Sequence, residues 1–287
     1  MSEKKKQSLL MGALAGSFGV FLSKALGLFY VVPLNQLAGE TNMAFYSIAY
    51  SYYDLLLKIC GAGIPFAIAA LVAKYYSRND YKTVLLVRKL GTSFIMASSF
   101  IIAIIFLLIA RPLATSTMGV EASAEDVNAL YNLFRILTIA IIFVPLLSSI
   151  RGYYQGLKRM DVYASSQVIE QFVFGIIALG YIFVQILSFD GIWAIYMAML
   201  SASIAAVITI IYMLVMTRKQ SREVIALAKG QSTSGKNQKE VFIELISLGI
   251  PYVIISFLGT SSSIVNSMHQ PPISLMKMPC WYLASYK

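Results

Sequence analysis

The chain has 287 residues, of which 58% are hydrophobic and only 13% are charged, against roughly 25% charged residues in an average soluble domain. This composition excludes an ordinary soluble enzyme, because too few polar side chains are present to cover a globule of this size. It also excludes a disordered chain, because aromatic and branched aliphatic residues are abundant.

Long apolar runs predict seven membrane-spanning helices, since a run of about 20 apolar residues is long enough to cross the hydrocarbon core of a bilayer. In chain order these runs lie near residues 8–37, 43–73, 90–110, 128–150, 162–188, 191–216 and 241–267. The sequence therefore predicts an all-α, polytopic membrane protein.

The basic residues indicate how these spans are oriented. Most of the 23 lysines and arginines fall in the N-terminal segment and in every second loop, whereas the other loops carry mainly glutamate and aspartate. Basic loops stay on the cytoplasmic side of a membrane, so we predict a multi-pass protein of the cell membrane with a cytoplasmic N-terminus. Anionic lipid accounts for the net charge of +10, and we expect no nucleic-acid partner.

One long polar loop, residues 217–240, divides the chain into unequal parts. Residues 1–216 form a predicted N-terminal lobe of six helices, and 241–267 would be the first helix of a second lobe. The loop is predicted to be a cytoplasmic basic connector, either flexible or partly an amphipathic helix on the membrane surface.

Ionisable side chains inside predicted spans are candidates for a functional site, because each is costly in lipid unless it faces a partner or a wet cavity. Lys24 lies deep in the first span; we expect it to line a cavity, the alternative being that it reaches the outer surface on a tilted helix. Asp54 and Lys58 are four residues apart on one helical face; they form either a structural ion pair or a pair that releases its lysine to an anionic ligand. Arg135 either lines the cavity or reaches the membrane surface.

The fifth predicted span has a polar face of Gln167, Glu170 and Gln171. Such a face either hydrogen-bonds a neighbouring helix or lines a path for water or ions. Both interpretations stay open at this point.

A possible helix break follows Lys58 in the second span. Gly61, Gly63 and Pro65 would loosen or kink the helix and expose backbone groups, which is tolerated in a membrane beside a cavity.

Motifs for catalysis are missing from the sequence. It has no Walker A phosphate loop, no cluster of histidines for a metal and no nucleophile elbow. We therefore predict a protein that is not an enzyme and that uses no cofactor and no metal.

Three segments together resemble a known family. The main one is Arg151-Gly152-Tyr153-Tyr154-Gln155-Gly156, followed by Met160 and by Ser165 to Gln171. The others are Ser23 to Gly27 and Cys60 to Pro65. These segments resemble the polysaccharide-export and stage V sporulation branch of the MATE-like flippase superfamily, near the MurJ-type lipid II flippases of Gram-positive bacteria. Arg151, Gly152, Gln155 and Gly156 are the motif residues.

The resemblance implies a fold of fourteen helices in two lobes around a cavity that opens to one side of the membrane at a time. It implies a lipid-linked oligosaccharide pyrophosphate as cargo, most directly lipid II, moved from the inner to the outer leaflet for peptidoglycan synthesis. Lys24 and Lys58 match the family's basic cavity positions, and we place Arg135 and Asp54 with them. Membrane lipids and cell-wall synthesis proteins are the other expected partners.

Two alternatives remain. A cation-coupled multidrug antiporter would have the same fold but a cavity dominated by acidic residues, whereas a membrane scaffold of envelope assembly would transport nothing. The seven predicted spans are half of fourteen, and residues 268–287 depart from the family pattern. We therefore expect an N-terminal fragment with an aberrant tail.

Overall fold

A computed structural model describes residues 3–61, 63–119, 122–185, 191–232 and 235–268, and these residues form nine helices. In chain order the helices are α1 (Glu3–Ala38), α2 (Glu40–Gly61), α3 (Gly63–Ser77), α4 (Tyr81–Met118), α5 (Ala124–Gly156), α6 (Met160–Gln185), α7 (Gly191–Met216), α8 (Arg218–Gly230) and α9 (Gln238–Met268). The prediction of an all-α, polytopic fold is confirmed. The predicted tail lies outside the described residues from 269 onward.

Five helical stretches in the described part of the chain are long and apolar enough to cross a membrane. They are Ser17–Gln36, Glu40–Ser77, Tyr81–Met118, Ala124–Gly156 and Gly191–Met216. The predicted spans near 162–188 and 241–267 coincide with α6 and α9, which are helical but do not belong to this set. The count of seven spans is therefore not confirmed.

Two apolar clusters hold the bundle together, one towards each end of the long helices. The first contains Phe106, Leu130 and Phe134, contributed by α4 and α5, together with residues of α1, α2 and α7. The second joins the opposite ends of α4 and α5 to α3, α6, α7, α8 and α9, and it includes Ile68 and Leu245. Each cluster buries several large side chains completely, and because lipid is as apolar as these side chains, close packing between the helices stabilises the contacts.

The middle of α4 carries the opposite kind of surface. Phe100, Ile101, Ile105 and Leu108 are exposed there, Leu108 to 75%. Several large apolar side chains exposed along one helix suit contact with lipid chains.

Helix α5 packs against α3 with the two backbones close together. A methyl group on Gly152 would lie 2.4 Å from the carbonyl oxygen of Pro65, and one on Gly156 would lie 2.6 Å from that of Ala69. Two glycines four residues apart form a small-xxx-small pattern, which lets helix backbones touch in membranes. The glycines of the motif therefore set the spacing between α3 and α5.

The polar loop contains α8, so residues 218–230 of the predicted connector are helical. Val224 and Ala228 are buried against the bundle, whereas Arg218, Lys219 and Arg222 are exposed. This amphipathic pattern agrees with the helical interpretation of that part of the loop.

Helix α9 rests on α3 and α4. Val241 and Leu245 are fully buried in the second cluster, and Glu244 accepts hydrogen bonds from the ammonium group of Lys74 and the hydroxyl of Tyr75. Apolar packing and a partly buried polar link thus fix the start of α9 to the rest of the bundle.

Candidate functional site

A cavity of about 270 Å³ lies between α2, α3, α5 and α6. Its polar lining residues are Lys58, Ser148, Arg151, Gln155, Tyr163 and Gln167. Leu57, Phe66 and Val144 contribute apolar surface. A concave, largely apolar site with a few convergent polar groups is the usual form of a ligand site.

Arg151 is the most buried cation of this cavity, with 9% of the residue exposed. Its Nε donates to Ser166 Oγ at 2.8 Å, and its Nη1 lies 2.8 Å from Glu170 Oε2. Its Nη2 is buried and has no hydrogen-bond partner. Because an unmet donor on a buried cation is costly, an anionic oxygen that reached this atom would satisfy it.

Gln167 lies on the same wall. Its side-chain nitrogen donates to the Tyr163 hydroxyl at 3.0 Å, while its carbonyl oxygen Oε1 is buried without a partner. The wall formed by α5 and α6 thus contains a buried donor and a buried acceptor, each without a partner, and a ligand carrying phosphate and hydroxyl groups has the chemistry to satisfy both.

Lys58 provides the second cation. Its Nζ lies 2.5 Å from Asp54 Oδ2, and the two side chains are 34% and 42% exposed. The predicted pair therefore forms, and its lysine lines the cavity. Such a pair is weaker than the one at Arg151 because it is more exposed to solvent.

A second, smaller pocket of about 110 Å³ lies between α2, α6 and α7. Tyr46, Tyr50, Tyr53, Glu170 and Gln171 contribute its polar groups. This pocket is next to the cavity, because α2 and α6 line both of them. Glu170 lines the pocket and also pairs with Arg151 of the cavity. The predicted polar face of α6 is thus divided, with Gln167 at the cavity and Glu170 and Gln171 at the pocket.

Lys24 and Arg135, which the sequence also predicts to line a cavity, do not line either of the two cavities described above, and their role stays a prediction. Lys24 is exposed on α1, and Arg135 is exposed on α5 with its guanidinium carbon 5.7 Å from the centre of the Tyr131 ring. Neither contributes to the cavity or to the tyrosine-lined pocket.

The predicted helix break at Gly61, Gly63 and Pro65 lies between α2 and α3. Pro65 lines the cavity, and a methyl group on Gly63 would lie 2.1 Å from the carbonyl oxygen of Gly249 on α9. Gly61 ends α2 and Gly63 begins α3, and residue 62 between them lies outside the described residues.

The span predicted near 128–150 stopped short of Arg151, and this boundary was wrong. The predicted span ended near residue 150, but α5 continues to Gly156 and carries the arginine into the protein interior. The small-xxx-small pattern of Gly152 and Gly156 was the available signal, because it indicates a packed helix at that position.

Comparison with known proteins agrees with this architecture. The family described as polysaccharide biosynthesis protein matches residues 9–272. The lipid II flippase MurJ of Bacillus subtilis is 30% identical over 251 residues, which cover 86% of this chain and 46% of the relative. Stage V sporulation protein B of the same organism is 29% identical, covering 90% of this chain and 48% of the relative. The chain thus spans about half the length of these relatives.

Solved structures show the same fold at lower sequence identity. A MATE protein crystallised in complex with MaD5 has a TM-score of 0.69 and 14% identity, covering 88% of this chain and 54% of the other. An outward-facing multidrug resistance transporter of the MATE family has a TM-score of 0.65 and 12% identity, with coverage of 85% and 52%. These likenesses establish how the helices are arranged.

Proposed function

The chain belongs to the polysaccharide biosynthesis protein family, in its MurJ-type, MATE-like flippase branch, and on that premise we propose that it carries a lipid-linked cell-wall precursor across the membrane. The cargo class is a prenyl-linked sugar pyrophosphate, and lipid II is its most direct representative. The N-terminus lies in the cytoplasm, and cargo enters from the inner leaflet.

The observation that carries this proposal is the buried guanidinium of Arg151, whose Nη2 has no partner. Together with Lys58 it gives the cavity two cations. Arginine matches phosphate oxygens with a planar set of donors, whereas lysine acts as a point charge. A pyrophosphate group provides the charge and the acceptors that these two side chains require.

The prenyl tail need not enter the protein. If the head group occupies the cavity while the tail remains in lipid, the protein lowers only the barrier for the polar part of the cargo. Movement of one helix bundle against another around a site within the membrane then exposes the head group to the other side.

Binding of farnesyl pyrophosphate by the purified chain in detergent tests the proposal. We expect inorganic pyrophosphate to displace this probe. We expect Arg151→Ala to weaken its binding at least tenfold, Arg151→Lys to weaken it less, and Lys58→Ala to weaken it severalfold. Arg111→Ala is the matched control, because Arg111 is exposed and contacts the Tyr131 ring; this variant should bind as the parent does.

Equal binding by the Arg151→Ala variant would reject the site. Binding of tetraphenylphosphonium in place of the pyrophosphate would favour the multidrug antiporter instead.

The choice of lipid II as cargo requires a test in cells. We expect growth when a chimera, in which this chain replaces the matching segment of the Bacillus subtilis lipid II flippase, is expressed in cells depleted of that flippase. The Arg151→Ala chimera should fail at an equal amount of membrane protein. Failure of the parent chimera despite normal insertion would shift the assignment to another lipid-linked polymer precursor.

A further inference from the structure

Each cation of the cavity already has a carboxylate of its own, Asp54 for Lys58 and Glu170 for Arg151. We propose that these carboxylates are internal counter-ions that the pyrophosphate displaces, and that Glu170 then turns into the tyrosine-lined pocket. The inference rests on the proposed function, since it concerns the same cavity and cargo.

The need for such counter-ions follows from the empty state. A cation inside a membrane protein is costly when it is unpaired, and a flippase returns without cargo between cycles. With Asp54 and Glu170 in place, the two pairs carry no net charge. The incoming pyrophosphate replaces two negative charges with two others, so that neither cation is left unpaired at any stage.

The two pairs differ in strength. Arg151 and Glu170 are 11% and 18% exposed as side chains, whereas Lys58 and Asp54 are 34% and 42% exposed. Solvent already weakens the pair at Lys58, so the exchange at Arg151 determines how tightly the cargo binds.

The geometry allows Arg151 to exchange partners without losing its orientation. Ser166 holds Nε at 2.8 Å, and Glu170 occupies only Nη1. A phosphate oxygen at the free Nη2 would approach the same edge of the guanidinium and compete with the carboxylate for Nη1. The serine contact persists while the carboxylate leaves.

The second pocket offers Glu170 an alternative position. Glu170 lines that pocket together with Tyr50 and Tyr53, whose hydroxyl groups are hydrogen-bond donors suited to a carboxylate. A volume of about 110 Å³ leaves room for the displaced group. The carboxylate thus exchanges a cation for phenolic donors instead of being left without partners.

Farnesyl pyrophosphate affinity in a double-mutant cycle tests this exchange. Glu170→Gln removes the competing charge, and we expect it to bind the probe about tenfold more tightly. Tyr50→Phe with Tyr53→Phe removes the alternative donors, and we expect severalfold weaker binding. In the Glu170→Gln background the tyrosine changes should have no effect, because no carboxylate needs those donors.

Glu244→Gln is the matched control. It also removes a carboxylate from an ion pair, the one with Lys74, but Glu244 does not line the cavity. Its affinity should equal that of the parent, which separates the proposed exchange from a general loosening of the bundle.

Two results would overturn the inference. If the parent binds the probe through Arg151 but Glu170→Gln binds equally or more weakly, the counter-ion exchange is wrong and the proposed function stands. If the tyrosine changes weaken binding equally in both backgrounds, the tyrosines act on the ligand and not on Glu170. Absence of any pyrophosphate binding by the parent would overturn the proposed function and this inference together.

Discussion

Asp80 caps α4 and connects two distant segments of the chain. Its Oδ1 accepts hydrogen bonds from the Thr83 backbone N–H and from the side-chain nitrogen of Gln231, both at 3.1 Å. Burial alone would raise the pKa of Asp80, but the hydrogen bonds from Thr83 and Gln231 outweigh it and lower the pKa. A carboxyl group whose pKa is lower in the folded state stabilises that state above its unfolded pKa, and the contribution is lost as pH falls through the folded pKa.

We therefore predict that Asp80→Ala lowers stability at neutral pH by about 1 kcal/mol, the usual cost of a lost helix cap. The difference from the parent should shrink as pH falls below about 4, the usual pKa range of aspartate. Thermal melting in detergent at neutral pH and below about pH 4 measures this difference in stability, with Glu125→Ala at an exposed position as the control. A loss that is independent of pH would show that the charge of Asp80 contributes nothing.

For individual residues, the sequence predicts which charged side chains lie within the membrane but not which way they face. The spacing of Asp54 and Lys58 was sufficient to predict their pair, because both belong to one helix. The burial of Arg151 depends on Ser166 and Glu170 of another helix, and no local pattern reports such a contact. Depth along the first span favoured Lys24 as a cavity residue, and this stays a prediction.

The contact between α3 and α5 gives a prediction for whole elements. Gly152→Ala places a methyl group 2.4 Å from the Pro65 carbonyl oxygen, so the helices must separate. We expect a loss of about 2 kcal/mol from overpacking, partly offset by the better helix propensity of alanine.

The matched control for this change is Gly230→Ala at the end of α8, where nothing lies within 4 Å of the added methyl group. Thermal melting of the two variants compares them directly. A Gly152→Ala protein as stable as the Gly230→Ala protein would contradict the close contact of α3 and α5.

The helices themselves were largely predictable, but their ends were not. The apolar run near 90–110 lies within α4, which extends from Tyr81 to Met118. Polar residues such as Asp80 and Ser123 cap α4 and α5 at their N-termini, outside the apolar runs. Hydropathy reports the part of a helix that lies in lipid, whereas caps determine where the helix begins.

For the molecule as a whole, the distribution of basic residues predicts which loops face the cytoplasm. Two cysteine variants test this orientation. Ser77→Cys places a thiol at the end of α3 beside basic loop residues, and Glu125→Cys places one at the start of α5 beside acidic residues; both positions are exposed. In intact cells, a membrane-impermeant thiol reagent should label the cysteine at 125 and spare the cysteine at 77, after Cys60 and Cys280 have been replaced. The reverse labelling pattern would invert the proposed orientation.

The backbone contacts of Gly152 with Pro65 and of Gly156 with Ala69 also limit how the protein can move. Each step of four residues along α5 matches a step of four along α3, so the two helices run parallel with no adjustable side chain between them at these points. They should therefore behave as one rigid body, and the cavity must open where α2 and α6 close it. Spin labels on α3 and α5 should keep a single narrow distance distribution with and without ligand, whereas a pair on α5 and α6 should broaden or shift.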